Sequence, residues 1–212
     1  MYGLLLTMTE PAPRDEEEFN AWYDTEHLAE RLAIPGFVSA RRWVADLAPG
    51  AGKYLATYEL ERPEVLETPA YLAHVGDNFS PWSKRCLGRA VLFRRWVCEQ
   101  ILPGDAFPPP ESRALLLACG DVPPEHEAEF NRWYDEEHVP LLAGVPGVFC
   151  ARRFRAHSGT PRYVALYDLA DESVPRAREW QAALETEWAR RIDRLTETCE
   201  WILRTYRAYA PA

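Results

Sequence analysis

The apolar positions of this chain fall into a series that runs twice. A short apolar run, Gly3 to Met8, has the length of a buried strand. After an acidic, proline-containing loop, residues 15–32 place Phe19, Trp22, Tyr23, Glu26 and Glu30 within one broad arc at helical spacing, with acidic residues in the first turn where the helix dipole favours them. Pro35-Gly36 ends this helix. Residues 37–45 are rich in aromatic and β-branched side chains between turn signals, and residues 54–60 alternate, so both predict strands, joined by a hairpin loop. A helix is expected over 63–78, continued by a loop and a short helix to about residue 88, and then a strand near 90–100. The series restarts at Ala114 to Cys119, with a helix over 125–143, strands over 148–156 and 163–169, a helix over 174–194 and a last strand near 198–208.

The restart is an internal repeat. Phe19-Asn-Ala-Trp-Tyr-Asp-Thr-Glu-His27 recurs as Phe130-Asn-Arg-Trp-Tyr-Asp-Glu-Glu-His138, an offset of 111 residues, and 12 of the 25 positions from 19 to 43 are identical to their counterparts. The offset drops to 109 from Lys53-Tyr-Leu-Ala-Thr-Tyr-Glu-Leu60, which aligns with Arg162-Tyr-Val-Ala-Leu-Tyr-Asp-Leu169. The Pro-rich stretch 103–111 reads as an extended linker, so the expected organisation is a first repeat over 1–102 and a second over 112–212. Each repeat spells β-α-β-β-α-β, the ferredoxin-like order, with one helix-covered and one open sheet face. Packing two open faces together predicts an α+β fold, a barrel closed within one chain that mimics a homodimer.

Charge narrows the partners. Lys and Arg total 24 against 33 Asp and Glu, a net charge of −9. That disfavours binding that neutralises nucleic-acid phosphates or docks a polybasic patch on a membrane. No uncharged apolar run nears the ~18 residues that span a bilayer, and no basic segment precedes the first apolar run as in a signal peptide. Five cysteines, an odd number without C-x-x-C spacing, read as reduced thiols of a cytoplasmic protein. A small-molecule ligand is the expected partner, with further homo-oligomerisation open.

The repeated helix carries the candidate chemistry. His27 and His138 lead, because imidazole both gives and accepts protons near neutrality. Tyr23 and Tyr134 precede them by four residues and Asp24 and Asp135 by three, spacings that share a helix side. The Asp is expected to orient the imidazole, and the Tyr to donate to a carbonyl. Glu26 and Glu137 are expected to pair with Arg41, Arg42, Arg152 and Arg153 on the following strands. Adjacent strand residues point to opposite faces, so one Arg of each pair could clamp a carboxylate or enolate, with Trp22 and Trp133 against the substrate. A purely structural reading stands beside this one: aromatics filling the helix–sheet seam, and acids pairing with the Arg dyad. One His and one Asp per repeat are too few for a metal site, so no metal is expected. No nucleophile elbow, phosphate loop or dinucleotide fingerprint occurs.

The pattern Asn-x-Trp-Tyr-Asp-x-Glu-His, then Pro-Gly, then Ala-Arg-Arg, resembles the dimeric α+β barrel superfamily, and within it the EthD-like branch of small bacterial proteins. The branch commonly has His-x-Pro here. His138-Val-Pro140 matches and His27-Leu-Ala29 does not, which would make the first repeat the one to lose activity. The resemblance implies a cofactor-independent acid–base enzyme, an isomerase, dehydratase (lyase) or cyclase acting on a small apolar carbonyl or phenolic compound. It leaves open a non-catalytic small-molecule-binding or accessory protein, and a haem-binding or oxygenase-type member with His74 as axial ligand.

Overall fold

The computed structural model describes residues 1–210, which divide into two compact units. One comprises Met1–Glu99 with His157–Gly159 and, of the described residues, 209–210, the other Gln100–Ala156 and Thr160–Ala208. The first repeat contains β1 (Gly3–Pro11), α1 (Glu16–Trp22), a π-helical turn (Tyr23–His27), α2 (Leu28–Leu32), β2 (Phe37–Val44), β3 (Tyr54–Leu60), α3 (Pro69–Leu72), α4 (Pro81–Gly88) and β4 (Ala90–Leu102). The second repeats this with β5 (Ala114–Gly120), α5 (Glu127–Trp133), a π-helical turn (Tyr134–His138), α6 (Val139–Ala143), β6 (Val148–Ser158), β7 (Tyr163–Leu169), α7 (Arg178–Leu184), α8 (Glu187–Thr196) and β8 (Trp201–Ala208). Both follow the expected α+β order.

Strand pairing is antiparallel throughout each unit, in the orders β4-β1-β3-β2 and β8-β5-β7-β6. The registers are duplicated too. Thr7 lies between Ala56 and Arg95, and its counterpart Ala118 between Ala165 and Leu203. The Pro-Gly turns are fixed by backbone geometry. Gly36 and Gly147 sit at φ +94° and +90°, and a Cβ on either would come within 3 Å of Val65 or Val174, so a side chain there meets both strain and a clash.

The helices depart from expectation in two ways. The first helix of each repeat is not continuous α-helix, because its middle turn is π-helical, with the Leu28 N–H donating to the Tyr23 carbonyl and the Val139 N–H to that of Tyr134. The second helix is broken in both units. Pro63, Pro69 and Pro81 each begin a separate segment, as expected of a residue that tolerates only the first helical turn. The stretch 174–194 breaks at Glu185, and Thr186 restarts it as α8 with its Oγ1 accepting from the Ala189 N–H.

Each unit has its own core in the seam between helices and sheet. Phe19, Trp22, Tyr58 and Leu60 anchor the first, and Phe130, Tyr167, Leu169 and Ile192 the second. Burying a side chain such as Phe19 or Phe130 contributes about 2–3 kcal/mol. Among the described residues, no helix is long and apolar enough to cross a membrane.

Candidate active site

The repeated motif divides its labour along the first helix. Asn20 and Asp24, one turn apart, accept from the Arg42 guanidinium at 2.6 and 2.7 Å, and Asn131 and Asp135 accept from Arg153 at 2.9 and 3.0 Å. Each guanidinium lies over a tyrosine of the π-helical turn, 4.4 Å from the Tyr23 centroid and 4.0 Å from that of Tyr134. In the first unit Tyr209 closes the nest, its ring 3.8 Å from the guanidinium of Arg42 and its hydroxyl donating to Asp24. Both Arg are buried, so this planar fork, with its hydrogen bonds and ring contacts, ties the helix to the sheet.

The expected Asp–His pair therefore does not form, because the Asp carboxylates are taken by Arg42 and Arg153. The motif Glu does not pair with the Arg dyad either. Glu26 accepts from Ser80 at 2.5 Å, and Glu137 from Thr186 at 2.6 Å and from Trp133 at 3.1 Å. Ser80 and Thr186 are the N-caps of α4 and α8, so this carboxylate binds the capping hydroxyl of the neighbouring helix.

Rings hold the histidines. The π-helical turn brings residues five apart over one another. His27 lies 4.3 Å from Trp22 between ring centroids, and His138 lies 4.2 Å from Trp133. Tyr23 and Tyr134 meet the imidazoles edge-on at 5.0 and 4.9 Å. Burial, with the Arg153 charge adding to it, holds the His138 pKa down to about 3. His27 is likewise held well below its ordinary value, by burial and then by Arg31 and Arg42. Both imidazoles are neutral at pH 7, so each has one acceptor nitrogen.

Each His lines a cavity within its own unit, between the helices and the sheet. The cavity of the second unit, about 670 Å³, is walled by Trp133, Tyr134, His138, Tyr167, Trp180 and Leu203 among others. The Tyr167 hydroxyl is buried and has no hydrogen-bond partner. Burial pushes its pKa well above the ordinary value and that of Tyr134 to about 12, so both stay protonated. The cavity of the first unit, about 490 Å³, is lined by Tyr23, His27, Arg31, Tyr58, Tyr71 and Arg95 among others.

Of the residues singled out from sequence, His27, Tyr23, His138, Tyr134 and Trp133 line cavities, whereas Trp22, Asp24, Asp135, Arg41, Arg42, Arg152 and Arg153 do not. Arg152 lies in an ion pair with the buried Asp168 at 3.3 Å, and Arg41 over the Trp43 ring. Trp22 is sealed in the core, its Nε1 donating to Ser83. His74 lines neither cavity and its Nδ1 meets Glu30 at 2.9 Å, so it does not fit the role of axial ligand to a haem held there. Among the described residues, no cluster of three or more His, Cys, Asp or Glu could hold a metal ion. Sequence reasoning missed Thr7, Arg31, Tyr58, Arg95, Tyr167 and Trp180. The one signal for the first and second of these was that the repeats differ at those positions.

No protein-family profile matches this chain, and neither does any curated protein sequence. Solved structures do match along almost its whole length. An anthrone oxidase-like protein aligns with a TM-score of 0.63 at 12% identity, covering 99% of this chain and 91% of its own. A protein from Lactobacillus acidophilus, proposed to be a monooxygenase, aligns at 0.60 and 10% identity, covering 98% and 93%. A mutant chlorite dismutase from Candidatus Nitrospira defluvii, in complex with cyanide, aligns at 0.59 and 8% identity, covering 99% and 91%. At these identities the likeness speaks for architecture, and it shows the fold to be that of the dimeric α+β barrel proteins.

Proposed function

We propose that this chain is an EthD-like acid–base enzyme that works without a cofactor on a small apolar carbonyl or phenolic compound in the cavity of the second unit. One observation carries the reading. A neutral His138 and the unpartnered Tyr167 hydroxyl share the wall of an otherwise largely apolar cavity. The acceptor nitrogen of His138 takes a proton from the carbon next to a carbonyl, and the Tyr167 hydroxyl donates to the oxygen on which negative charge develops. The low proton affinity of His138 belongs to an imidazole without an anion beside it. An enolate formed next to it stabilises the imidazolium strongly in a low-dielectric cavity. The imidazolium then returns its proton to a different carbon, completing an isomerisation, or gives it to a hydroxyl β to the carbonyl, which leaves as water while the enolate collapses to the unsaturated carbonyl, completing a dehydration. The Trp133 stack holds the ring in place throughout.

The test is exchange of the acidic C–H protons of a panel of aryl ketones in D2O, followed by proton NMR, with binding read from Trp133, Trp180 and Trp201 fluorescence. His138→Asn is expected to lower exchange by about 10²-fold or more, and Tyr167→Phe by about tenfold or more. Binding without exchange in the unaltered chain would overturn the enzymatic reading in favour of a binding protein. Oxygen uptake in the same samples would point instead to the oxygenase chemistry named for some of the structural neighbours.

A further inference from the structure

The cavity of the first unit differs in chemistry from its counterpart. Arg31 is 2% exposed and lines the cavity, and its Nη1 has no hydrogen-bond partner. Its Nη2 donates to the His74 carbonyl at 2.8 Å and lies 3.2 Å from Glu30 Oε2, while its guanidinium stands over the rings of Tyr71 and Phe79 at 5.5 and 5.8 Å. One edge of the guanidinium is thus anchored and the other is left without a partner. Two more buried polar atoms on the same wall have none, Thr7 Oγ1 and His27 Nδ1. The His27 nitrogen is 3.9 Å from Glu30, too far for a hydrogen bond. Arg95 adds a second guanidinium to the wall, donating to the Tyr71 hydroxyl at 3.2 Å. No residue lining this cavity is acidic.

A buried donor without a partner is costly, and native proteins rarely leave three such atoms on one wall. The comparison with the other repeat sharpens the point. The counterparts of Thr7, Arg31 and Arg95, by repeat offset and strand register, are Ala118, Leu142 and Leu203, all apolar and all on the wall of the second cavity. Three coordinated changes toward polar or cationic side chains do not describe a decayed copy. We infer that the cavity of the first unit is a binding site for an aryl carboxylate. The carboxylate lies on the free edge of Arg31 with Arg95 nearby, Thr7 and His27 complete its hydrogen bonds, and the ring lies among Tyr58, Tyr71 and Phe93. Charge-assisted bonds from an arginine fork suit this group better than any neutral one.

Calorimetric titration of the full chain with benzoate, and with benzyl alcohol as the neutral isostere, tests this. Benzoate is expected to bind one site per chain and benzyl alcohol more weakly. Arg31→Leu, which copies the second unit, should weaken benzoate by about tenfold or more, the loss of one charge-assisted hydrogen bond, and leave benzyl alcohol unchanged. Arg95→Leu, farther from the core contacts, should weaken benzoate in the same sense and serves if Arg31→Leu fails to fold. His138→Asn should leave benzoate affinity unchanged, which separates this site from the proposed catalytic one. No benzoate binding at millimolar concentration, equal binding of the two compounds, or undiminished benzoate affinity in a folded Arg31→Leu or Arg95→Leu variant would overturn the assignment.

Discussion

At the scale of single residues, partners separate roles that the sequence superimposes. Asp135 and His138 are three apart on one helix, yet Asp135 serves Arg153, and Trp133 serves His138. Asp135→Asn should therefore leave ketone exchange within about twofold of the unaltered chain, since the carboxylate touches neither the imidazole nor the cavity. The same reasoning places the cost of removing Arg153 in stability. Its side chain is buried, bridges Asn131 and Asp135 and covers the Tyr134 ring. Arg153→Ala should cost about 3 kcal/mol in urea unfolding, toward the lower end for a broken buried pair because Asp135 can turn to water. Arg153→Lys should recover part of that, keeping the charge and losing the fork. A fall in exchange with Asp135→Asn at unchanged stability would show that the carboxylate does act on His138.

At the scale of elements, the joints decide what the helices can hold. Ser80 and Thr186 each cap a helix with a hydroxyl oxygen that accepts from the backbone, while the same hydroxyl donates a hydrogen bond to the motif carboxylate of the first helix, Glu26 or Glu137. Ser80→Ala and Thr186→Ala should each cost about 1–2 kcal/mol in urea unfolding, the upper part of the range for a lost N-cap because a second hydrogen bond goes with it. Loss within a few tenths of a kcal/mol would mean that water replaces both bonds. Nothing in the residue pattern around Glu26 or Glu137 announces this partner, which lies 54 residues away for Ser80 and 49 for Thr186. The strands were readable because alternation and Gly/Pro punctuation are local signals, and β3 and β7 fall on the predicted residues. The π-helical turn was not readable. Its five-residue spacing of Trp22 to His27 breaks no apolar pattern that a 100° wheel would register, and the turn is specified by the ring stack it enables. The second helices misled for a related reason. Apolar spacing over 63–78 and 174–194 is helical on average, while prolines and the Thr186 cap cut it into pieces.

At the scale of the whole chain, the duplication separates scaffold from specificity. Positions identical in both repeats supply the Arg nest, the carboxylate of the capped joint and the neutral histidine, while the capping hydroxyl itself is Ser80 in one repeat and Thr186 in the other. Positions that differ, Thr7 against Ala118 and Arg31 against Leu142, set the chemistry of the cavity walls, and a search for matches passes over them. The shared histidines have a consequence for the stability of the molecule. In the unfolded chain each takes up a proton near 6.5, whereas in the folded chain His138 does so at about 3 and His27 well below its ordinary value. The unfolded state therefore binds more protons as the pH falls below 6.5, and stability is lost in that direction, at up to about 1.4 kcal/mol per pH unit for each histidine. Down to about pH 5, before most carboxylates titrate, His138 should remove about 2 kcal/mol relative to neutral pH, and His27 acts in the same direction. Urea unfolding at about pH 7.5 and about pH 5 reads this directly. His138→Gln should reduce the acid-induced loss by about 2 kcal/mol and His27→Gln should reduce it as well, whatever each costs at neutral pH, because a side chain that cannot titrate removes its proton from the balance. An acid loss of unchanged size in both variants would place the sensitivity in other groups and would mean that the buried imidazoles take up protons in the folded chain as readily as in the unfolded one.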